Sequence, residues 1–211
     1  MAGKRQDSED TRRRLLDAAD VVLREKGYAG TSARVLAAEA GVNSALVFYH
    51  FGGVDPLLLA ALDRASDERM ARHRQTVEGA RTVEELVAAA QEIYRSDLER
   101  GSLALFSELV AAAVTKPELR TAITERAEPW VGFVEESWER VAGGTPLGRL
   151  LPAREVANAA ITFYLGVNLF SVIDADQSRT EGVFALARRI APRAKLLTMR
   201  MPTRSRTSRK A

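Results

Sequence analysis

Apolar residues recur every three or four positions along most of the chain, which is the period of an amphipathic α-helix. The clearest apolar face lies between about Ser8 and Lys26 and comprises Leu15, Ala18, Ala19, Val22 and Leu23. No stretch has the long alternation of Val, Ile and Thr that would indicate a strand. The pattern predicts an all-α protein with long helices at about 8–26, 55–79, 82–99, 102–115, 117–142, 153–174 and 179–198.

Capping and breaking residues refine these bounds. Thr82 and Glu85 have the spacing of a capping box, in which each side chain bonds the other residue's backbone N–H. Pro117 suits the first turn of a helix, whereas Pro129 falls inside a helical pattern and predicts a kink or a restart. The stretch 143–152, rich in glycine and proline, is predicted to be a loop.

Two short helices joined by a tight turn are predicted between residues 32 and 50. Ser32 is a suitable N-cap for the first helix, and Gly41 can adopt the left-handed conformation that ends it. Asn43 or Ser44 then caps the second helix, which runs to about His50. This is the arrangement of a helix-turn-helix, although an ordinary helical hairpin with a glycine turn has the same spacing.

A helix-turn-helix places its second helix in the major groove of DNA, where side chains that the core does not need meet base edges. The pattern assigns that role to Ser44, Ala45, Leu46 and Tyr49. The segment therefore predicts binding of double-stranded DNA.

Further residues favour DNA binding over the simple hairpin. Ala40, Gly41 and Val42 form an Ala-Gly-Val turn, and the residues that follow it at the matching spacing are Val47, Phe48, Tyr49, His50, Phe51, Asp55 and Leu57. Upstream, the first helix ends in the glycine-aromatic pair Gly27 and Tyr28. This set spans about the first third of the chain, and it resembles the DNA-binding domain of the TetR family of bacterial transcriptional regulators.

The resemblance implies a three-helix helix-turn-helix DNA-binding domain at residues 1–54 and a helical ligand-binding and dimerisation domain at residues 55–199. It also implies a homodimer that represses transcription from a palindromic DNA operator and is released by a small, largely apolar effector. The long helix after Gly53 would transmit effector binding to the DNA-binding domain. The residues expected at the DNA are Ser32, Arg34, Asn43, Ser44, Ala45, Leu46, Phe48, Tyr49 and His50.

Two positions depart from the family pattern. The family usually carries a tyrosine where this chain has Phe48 and a lysine where it has Val54, and both residues normally contact phosphates. A charged hydrogen bond is worth about 1.5–3 kcal/mol, so DNA binding is expected to be weaker or to use other cations. The nominated substitutes are Lys4, Arg5, Arg34 and the arginine run 12–14.

Net charge adds little support for DNA binding. Five of the 31 basic residues and none of the 28 acidic residues lie in residues 200–211, which leaves a net charge of −2 on the rest of the chain. DNA binding is therefore not predicted from a globally basic domain. The tail 200–211 is predicted to be disordered, and a solubilising end is favoured over contact with DNA phosphates.

The helix predicted at 153–174 is apolar on nearly every side between Val156 and Ile173. Such a helix must be covered all round. One side is predicted to pack on the chain's own core and the other, together with the helix at 179–198, on a second copy of the chain; the alternative is a wholly internal helix. The residues assigned to the dimer interface are Ala157, Ala160, Tyr164, Gly166, Phe184 and Ile190.

Aromatic residues concentrate in the predicted second domain, where most of them are expected to form core. Those next to Pro129 are the best candidates for lining an apolar cavity, with a carboxylate or an amide as polar partner. The residues assigned to effector binding are Phe106, Glu108, Trp130, Phe133, Phe163 and Asn168. Glu108 can equally be exposed or bonded within the protein.

The sequence offers little for catalysis. It contains two histidines, no cysteine, no phosphate-binding glycine loop and no Gly-x-Ser-x-Gly elbow, so no enzyme activity, cofactor or metal site is predicted. It also lacks a signal-peptide core and any membrane-spanning apolar run, which predicts a cytoplasmic protein without membrane contact. The alternatives left open are a ligand-independent architectural DNA binder and a helical small-molecule-binding protein or enzyme without DNA function.

Overall fold

The computed structural model describes residues 2–102, 104–171 and 178–198, except the side chains of 2–5, 171, 195 and 196. These residues form ten α-helices and no strand. The first five helices are α1 (Ala2–Lys26), α2 (Ala33–Ala40), α3 (Ala45–Phe51), α4 (Val54–Glu78) and α5 (Val83–Glu99). The others are α6 (Ala104–Thr115), α7 (Pro117–Ala142), α8 (Pro146–Leu150), α9 (Ala153–Ser171) and α10 (Ser178–Thr198). The prediction of an all-α fold is confirmed.

The chain forms two compact units. The first unit contains Met1–Arg74 and Arg95–Pro129, and the second contains Gln75–Tyr94 and Trp130–Ala211. Helices α4, α5 and α7 each contribute residues to both units. The sequence predicts a boundary between a DNA-binding domain and a second domain at residues 54 and 55. The division into compact units lies at other positions and does not test that functional boundary, which stays a prediction. The predicted tail 200–211 and the end of the helix predicted at 153–174 lie outside the described residues.

The core of the first unit is built on the apolar face of α1. Leu15, Val22 and Leu23 are at most 1% exposed, as their helical spacing predicts. They belong to one buried cluster with residues of α2, α3, α4, α6 and α7, which are Leu36, Ala37, Ala40, Val47, Leu57, Leu58, Ala61, Leu62, Leu105, Leu109, Ala112, Ala113, Leu119 and Ile123. Residues 105–123 therefore complete the core on which the short helices α2 and α3 pack.

The helix ends agree with most of the capping predictions. Glu85 donates its N–H to the Thr82 hydroxyl at 3.2 Å, and the Thr82 N–H donates to the Glu85 carboxylate at 3.1 Å. Hydrogen bonds from the backbone N–H groups of Arg81 and Thr82 lower the pKa of Glu85. The capping box therefore begins α5 as the sequence predicts.

The predicted loop at 143–152 is wrong, and of the kink or restart predicted at Pro129 the restart is wrong while the kink stays a prediction. The predicted loop 143–152 contains α8, because Thr145 accepts the Gly148 N–H at 3.2 Å as an N-cap and Pro146 occupies the first turn. Helix α7 does not restart at Pro129, because the helix runs unbroken from Pro117 to Ala142. Helix α1 also begins at Ala2 rather than near Ser8.

No single helix among the described residues is long and apolar enough to cross a membrane; only α3 and α4 taken together, across a bend of 59°, have the required length and composition.

A buried charged cluster joins α4 to α5 within the first unit. Arg69, His73 and Asp97 are 7%, 5% and 2% exposed. The Asp97 carboxylate lies 3.2 Å from His73 Nε2 and 3.6 Å from Arg69 Nε, and Arg69 also donates to the carbonyl of Ser102 at 3.5 Å. Asp97 thus provides the negative charge that a buried guanidinium requires.

We expect Asp97→Asn to lower the free energy of unfolding by about 3 kcal/mol, because the substitution removes the carboxylate that lies against the buried Arg69 guanidinium. Urea denaturation at neutral pH measures the change. The matched control is Asp17→Asn, which breaks the exposed pair between Asp17 and Arg64 and should cost less than about 1 kcal/mol. Equal losses of stability in the two variants would show that the buried cluster stabilises the fold no more than an exposed ion pair does.

Candidate nucleic-acid interface

Helix α2 is closed at both ends by local hydrogen bonds. The Ser32 hydroxyl accepts the Val35 N–H at 3.3 Å, which caps the N-terminus as predicted. Gly41 ends the helix in the left-handed conformation with φ 63°. The Gly41 N–H bonds the Ala38 carbonyl at 3.2 Å and the Val42 N–H bonds the Ala37 carbonyl at 2.9 Å, which together form a Schellman motif. The turn into α3 is therefore tight and fixed.

Helix α3 is held to the core by one side. Of the two predicted caps, Asn43 is the one that bonds, because its Oδ1 accepts the Ala45 N–H at 2.8 Å whereas Ser44 makes no side-chain cap bond. Val47 is fully buried, while Phe48 and Tyr49 are 57% and 78% exposed. A buried aliphatic residue thus anchors the helix and leaves two aromatic side chains in solvent.

Arginines of α1 support this helix pair. Arg12 donates to the His50 carbonyl at 3.1 Å and stacks 4.3 Å from the centre of the Phe51 ring. Arg14 donates to the carbonyls of Ala40 at 2.5 Å and Gly41 at 3.0 Å, which are free acceptors at the end of a helix. The sequence nominated the run 12–14 to bind phosphates; the structure gives Arg12 and Arg14 backbone partners instead, because α1 lies against the ends of α2 and α3.

The residues predicted to contact DNA all lie at the surface. Leu46 and His50 are half-buried, and the exposed members are Ser32, Arg34, Asn43, Ser44, Ala45, Phe48 and Tyr49. The His50 ring lies 4.9 Å from the Tyr49 ring and 6.5 Å from the Phe51 ring, edge-on in both cases. An exposed helix face beside a tight turn is the geometry that a helix-turn-helix uses in the major groove.

Comparison with known proteins identifies the family. Residues 15–61, which run from the core face of α1 into α4, match the model of the bacterial regulatory proteins of the tetR family. The HTH-type transcriptional regulator UidR of Escherichia coli (strain K12) is 21% identical over 180 residues, which cover 85% of this chain and 89% of that protein. The HTH-type transcriptional regulator CymR of Pseudomonas putida is 27% identical over 178 residues, or 82% and 85% of the two chains.

The chain is a transcriptional regulator of the TetR family. Its fold is also that of a TetR-family regulator from Rhodococcus sp., with a TM-score of 0.70, 19% identity and coverage of 86% of this chain and 98% of the other. These relatives are DNA-binding regulators rather than enzymes. Among the residues that the structure describes, no group of three His, Asp or Glu side chains could hold a metal ion.

The residues assigned to effector binding in this TetR-family chain are divided between the two units. Phe106 packs against the core cluster of the first unit, and Glu108 accepts the Tyr28 N–H at 2.7 Å. In the second unit, the rings of Trp130 and Phe133 lie 6.4 Å apart. The bond from Tyr28 occupies one Glu108 oxygen within the protein, which is an alternative that the sequence left open.

Aromatic residues of α5, α9 and α10 pack against one another in the second unit. Phe163 lies 6.0 Å from Phe184, and Phe184 lies 5.5 Å from Tyr94. Asn168 is 8% exposed and donates to the Tyr164 carbonyl at 2.7 Å. The Tyr94 hydroxyl is buried and has no hydrogen-bond partner among the described residues, which is a signal that the sequence could not give.

The residues assigned to the dimer interface differ in exposure. Ala157 and Phe184 are 0% and 7% exposed within the single chain, so their side chains pack mainly inside it, and their place at a dimer interface stays a prediction. Ala160, Tyr164 and Gly166 are half-buried, and Ile190 is 55% exposed. Periodicity could not separate these classes because α9 is apolar on almost every side.

An unexpected polar cluster lies beside α2 and α3. The Tyr28 hydroxyl donates to Asp55 Oδ1 at 2.5 Å, and Lys116 Nζ donates to the Tyr28 hydroxyl at 2.5 Å and to Asp55 Oδ2 at 3.1 Å. Desolvation and the bond to Asp55 raise the pKa of Tyr28. Hydrogen bonds to Tyr28 and Asp55 raise the pKa of Lys116, so the amine is charged at neutral pH. Sequence reasoning missed Lys116 because it lies 88 residues from Tyr28.

Proposed function

We propose that the protein is a homodimeric, effector-controlled repressor that binds a palindromic operator through α2 and α3. The observation that carries the proposal is the outer face of α3, on which Phe48 and Tyr49 are 57% and 78% exposed while Val47 is buried. Large apolar side chains are seldom left in solvent together unless a partner covers them. DNA bound along α3 provides that partner.

Arg34 is the strongest candidate for reading a base. It is exposed on α2, two residues after the N-cap Ser32. An arginine donates two parallel hydrogen bonds to O6 and N7 of guanine, which is the commonest specific contact in the major groove. We therefore assign Arg34 to one base pair in each half of the operator.

We expect Arg34→Ala to weaken operator binding by about 1–3 kcal/mol and to relax base preference at one position of each half-site. Fluorescence anisotropy measures this, using an operator selected in vitro and a random duplex. The control is Arg154→Ala, which removes an exposed arginine of α9. Equal losses on the operator and the random duplex would make Arg34 a phosphate contact, because such contacts do not distinguish sequences.

A stripe of exposed apolar residues supports the homodimer. On α9, Phe170 is 49% exposed; on α10, Leu186 and Ile190 are each 55% exposed. A Cβ built on Gly166 would meet no heavy atom within 4 Å, so this part of α9 is open to close approach. A second copy related by a two-fold axis would cover this stripe. The dimer would then place its two copies of α3, the reading helices, at the two halves of a palindromic operator.

We expect Ile190→Glu to convert the dimer to folded monomers, because dimerisation would bury an unpaired carboxylate at a cost of several kcal/mol. Sedimentation equilibrium gives the association state, and circular dichroism gives the fold. Val114→Glu is the control, since Val114 is 71% exposed on α6 and its substitution should leave the dimer intact. A folded Ile190→Glu protein that remains dimeric assigns the contact to another surface.

The aromatic residues of the second unit are the proposed effector site. Trp130, Phe133 and Phe163 provide apolar surface, and Asn168 provides an amide. We add Tyr94, because its buried hydroxyl has no partner among the described residues and can bond an effector's polar group. The two reading helices of a dimer must lie about 34–36 Å apart to enter successive major grooves. An effector that binds more tightly to a conformer with a different spacing weakens operator binding, commonly by about 1–3 kcal/mol.

We expect Tyr94→Phe to leave unfolding stability unchanged or raise it by up to about 1 kcal/mol, because it removes a buried hydroxyl that has no partner within the described part of the chain. The same variant should bind effectors more weakly. Quenching of tryptophan fluorescence by a panel of small aromatic compounds identifies binders, and operator release by each binder is then compared between wild type, Tyr94→Phe and Trp130→Ala. Unchanged responses in both variants, with the fold intact, argue against this effector site.

A ligand-independent architectural DNA binder is the second candidate. The same compound panel separates the two functions, since an architectural protein retains its DNA affinity with every binder. The repressor proposal further assumes a cytoplasmic protein whose operator overlaps a promoter, which a reporter gene placed downstream of the selected operator tests.

A further inference from the structure

An open cleft of about 600 Å³ lies on the first unit next to α2 and α3. Its walls come from the start of α2 at Ser32, from Phe48 of α3, from Val54 and Asp55 at the start of α4, and from Lys116. Lys116 is the single residue between α6 and α7. The cleft therefore combines the helix-turn-helix with a residue more than sixty positions away in the chain.

The cleft borders the predicted DNA surface. Ser32 and Phe48 belong both to its walls and to the residues expected at the DNA, and Tyr49, which is 78% exposed on α3, follows Phe48 directly. When a reading helix lies in the major groove, the helix that precedes it crosses the phosphate backbone. The cleft, at the start of α2, therefore faces the backbone that flanks the groove.

The charges of the cleft depend on Lys116. Asp55 and Lys116 are the charged residues among the described ones that line it. Without Lys116, the cleft would carry the Asp55 carboxylate alone and would repel a phosphate. With Lys116 in place, the ammonium lies 3.1 Å from Asp55 and its side chain is still 40% exposed.

Lys116 is also fixed in position before any DNA arrives. Its ammonium bonds the Tyr28 hydroxyl at 2.5 Å and lies 5.0 Å from the centre of the Tyr28 ring. An ammonium has three N–H donors, and Tyr28 and Asp55 take two of them. A lysine that is already ordered loses little side-chain entropy when it binds a further acceptor.

We propose that Lys116 binds a phosphate of the DNA backbone at this cleft, so that the turn between α6 and α7 takes part directly in DNA binding. The proposal rests on the proposed use of α2 and α3 as the DNA surface. Within the cleft, Phe48 and Val54 have no polar side-chain atom, and Lys116 supplies the cation that a phosphate requires. Asp55 acts in the opposite sense, since it orients the ammonium but opposes the phosphate charge.

The test measures affinity for a random-sequence duplex between about 50 and 200 mM KCl, because each neutralised phosphate adds about 0.9 to the slope of log K against log salt. Lys116→Met should weaken binding of a dimer about a hundredfold or more, because two charged hydrogen bonds are lost. It should also make the slope shallower by about 1.8 for a dimer with two such contacts. Lys116→Arg should retain the slope, because it keeps the charge.

Asp55→Asn provides a second, independent readout. It removes a carboxylate beside the bound phosphate, so it should tighten binding to the same duplex. If the three residues formed only a structural brace, Lys116→Met and Asp55→Asn would both lower the melting temperature and both weaken DNA binding, with the salt slope unchanged. That result, or a Lys116→Met protein with wild-type affinity and slope, overturns the proposal.

Failure of this inference is distinguishable from failure of the proposed DNA surface. Arg34→Ala and Tyr49→Ala are measured on the selected operator in parallel. If they weaken operator binding while Lys116→Met leaves the slope unchanged, the DNA surface stands and Lys116 has no part in it. If neither changes operator affinity, the proposed use of α2 and α3 is itself wrong.

Discussion

The apolar face of α1 is the surface on which the DNA-binding part of the molecule is assembled. Leu15, Val22 and Leu23 are buried in one cluster with Val47 of α3 and Leu57 of α4. Each buried side chain of this size contributes about 1.5–3 kcal/mol, whereas an exposed ion pair contributes at most about 1 kcal/mol. Helix α3 has only seven residues and would not be stable alone, so its existence depends on this core.

Burial of Val47 fixes α3 to the core, and hydrogen bonds at the ends of α2 and α3 hold the two helices in position. Asn43 caps its first turn, Arg12 bonds the carbonyl of His50 near its end, and Arg14 bonds the end of α2. Arg12 and Arg14 therefore direct part of their hydrogen-bonding capacity to backbone atoms of α2 and α3.

The two compact units are joined by helices rather than by flexible segments. Helices α4, α5 and α7 each contribute residues to both units. Within the first unit, Glu108 of α6 and Lys116 after it bond Tyr28, which lies between α1 and α2. These bonds tie α6 and the residue that follows it to Tyr28, just before α2.

The sequence by itself determined the long helices, the turn and the family, but it missed the short helix α8. Helical spacing identified the buried face of α1, Ser32 and Gly41 marked the ends of α2, and the Thr82 and Glu85 pair marked the start of α5, because these signals act between residues a few positions apart. Tertiary structure decided which polar groups meet. Neither the bond from Tyr28 to Glu108 nor the cluster of Tyr28, Asp55 and Lys116 leaves a trace in local spacing. Such contacts depend on how helices distant in sequence pack together, and the same packing decides that Phe184 is buried while Ile190 remains in solvent.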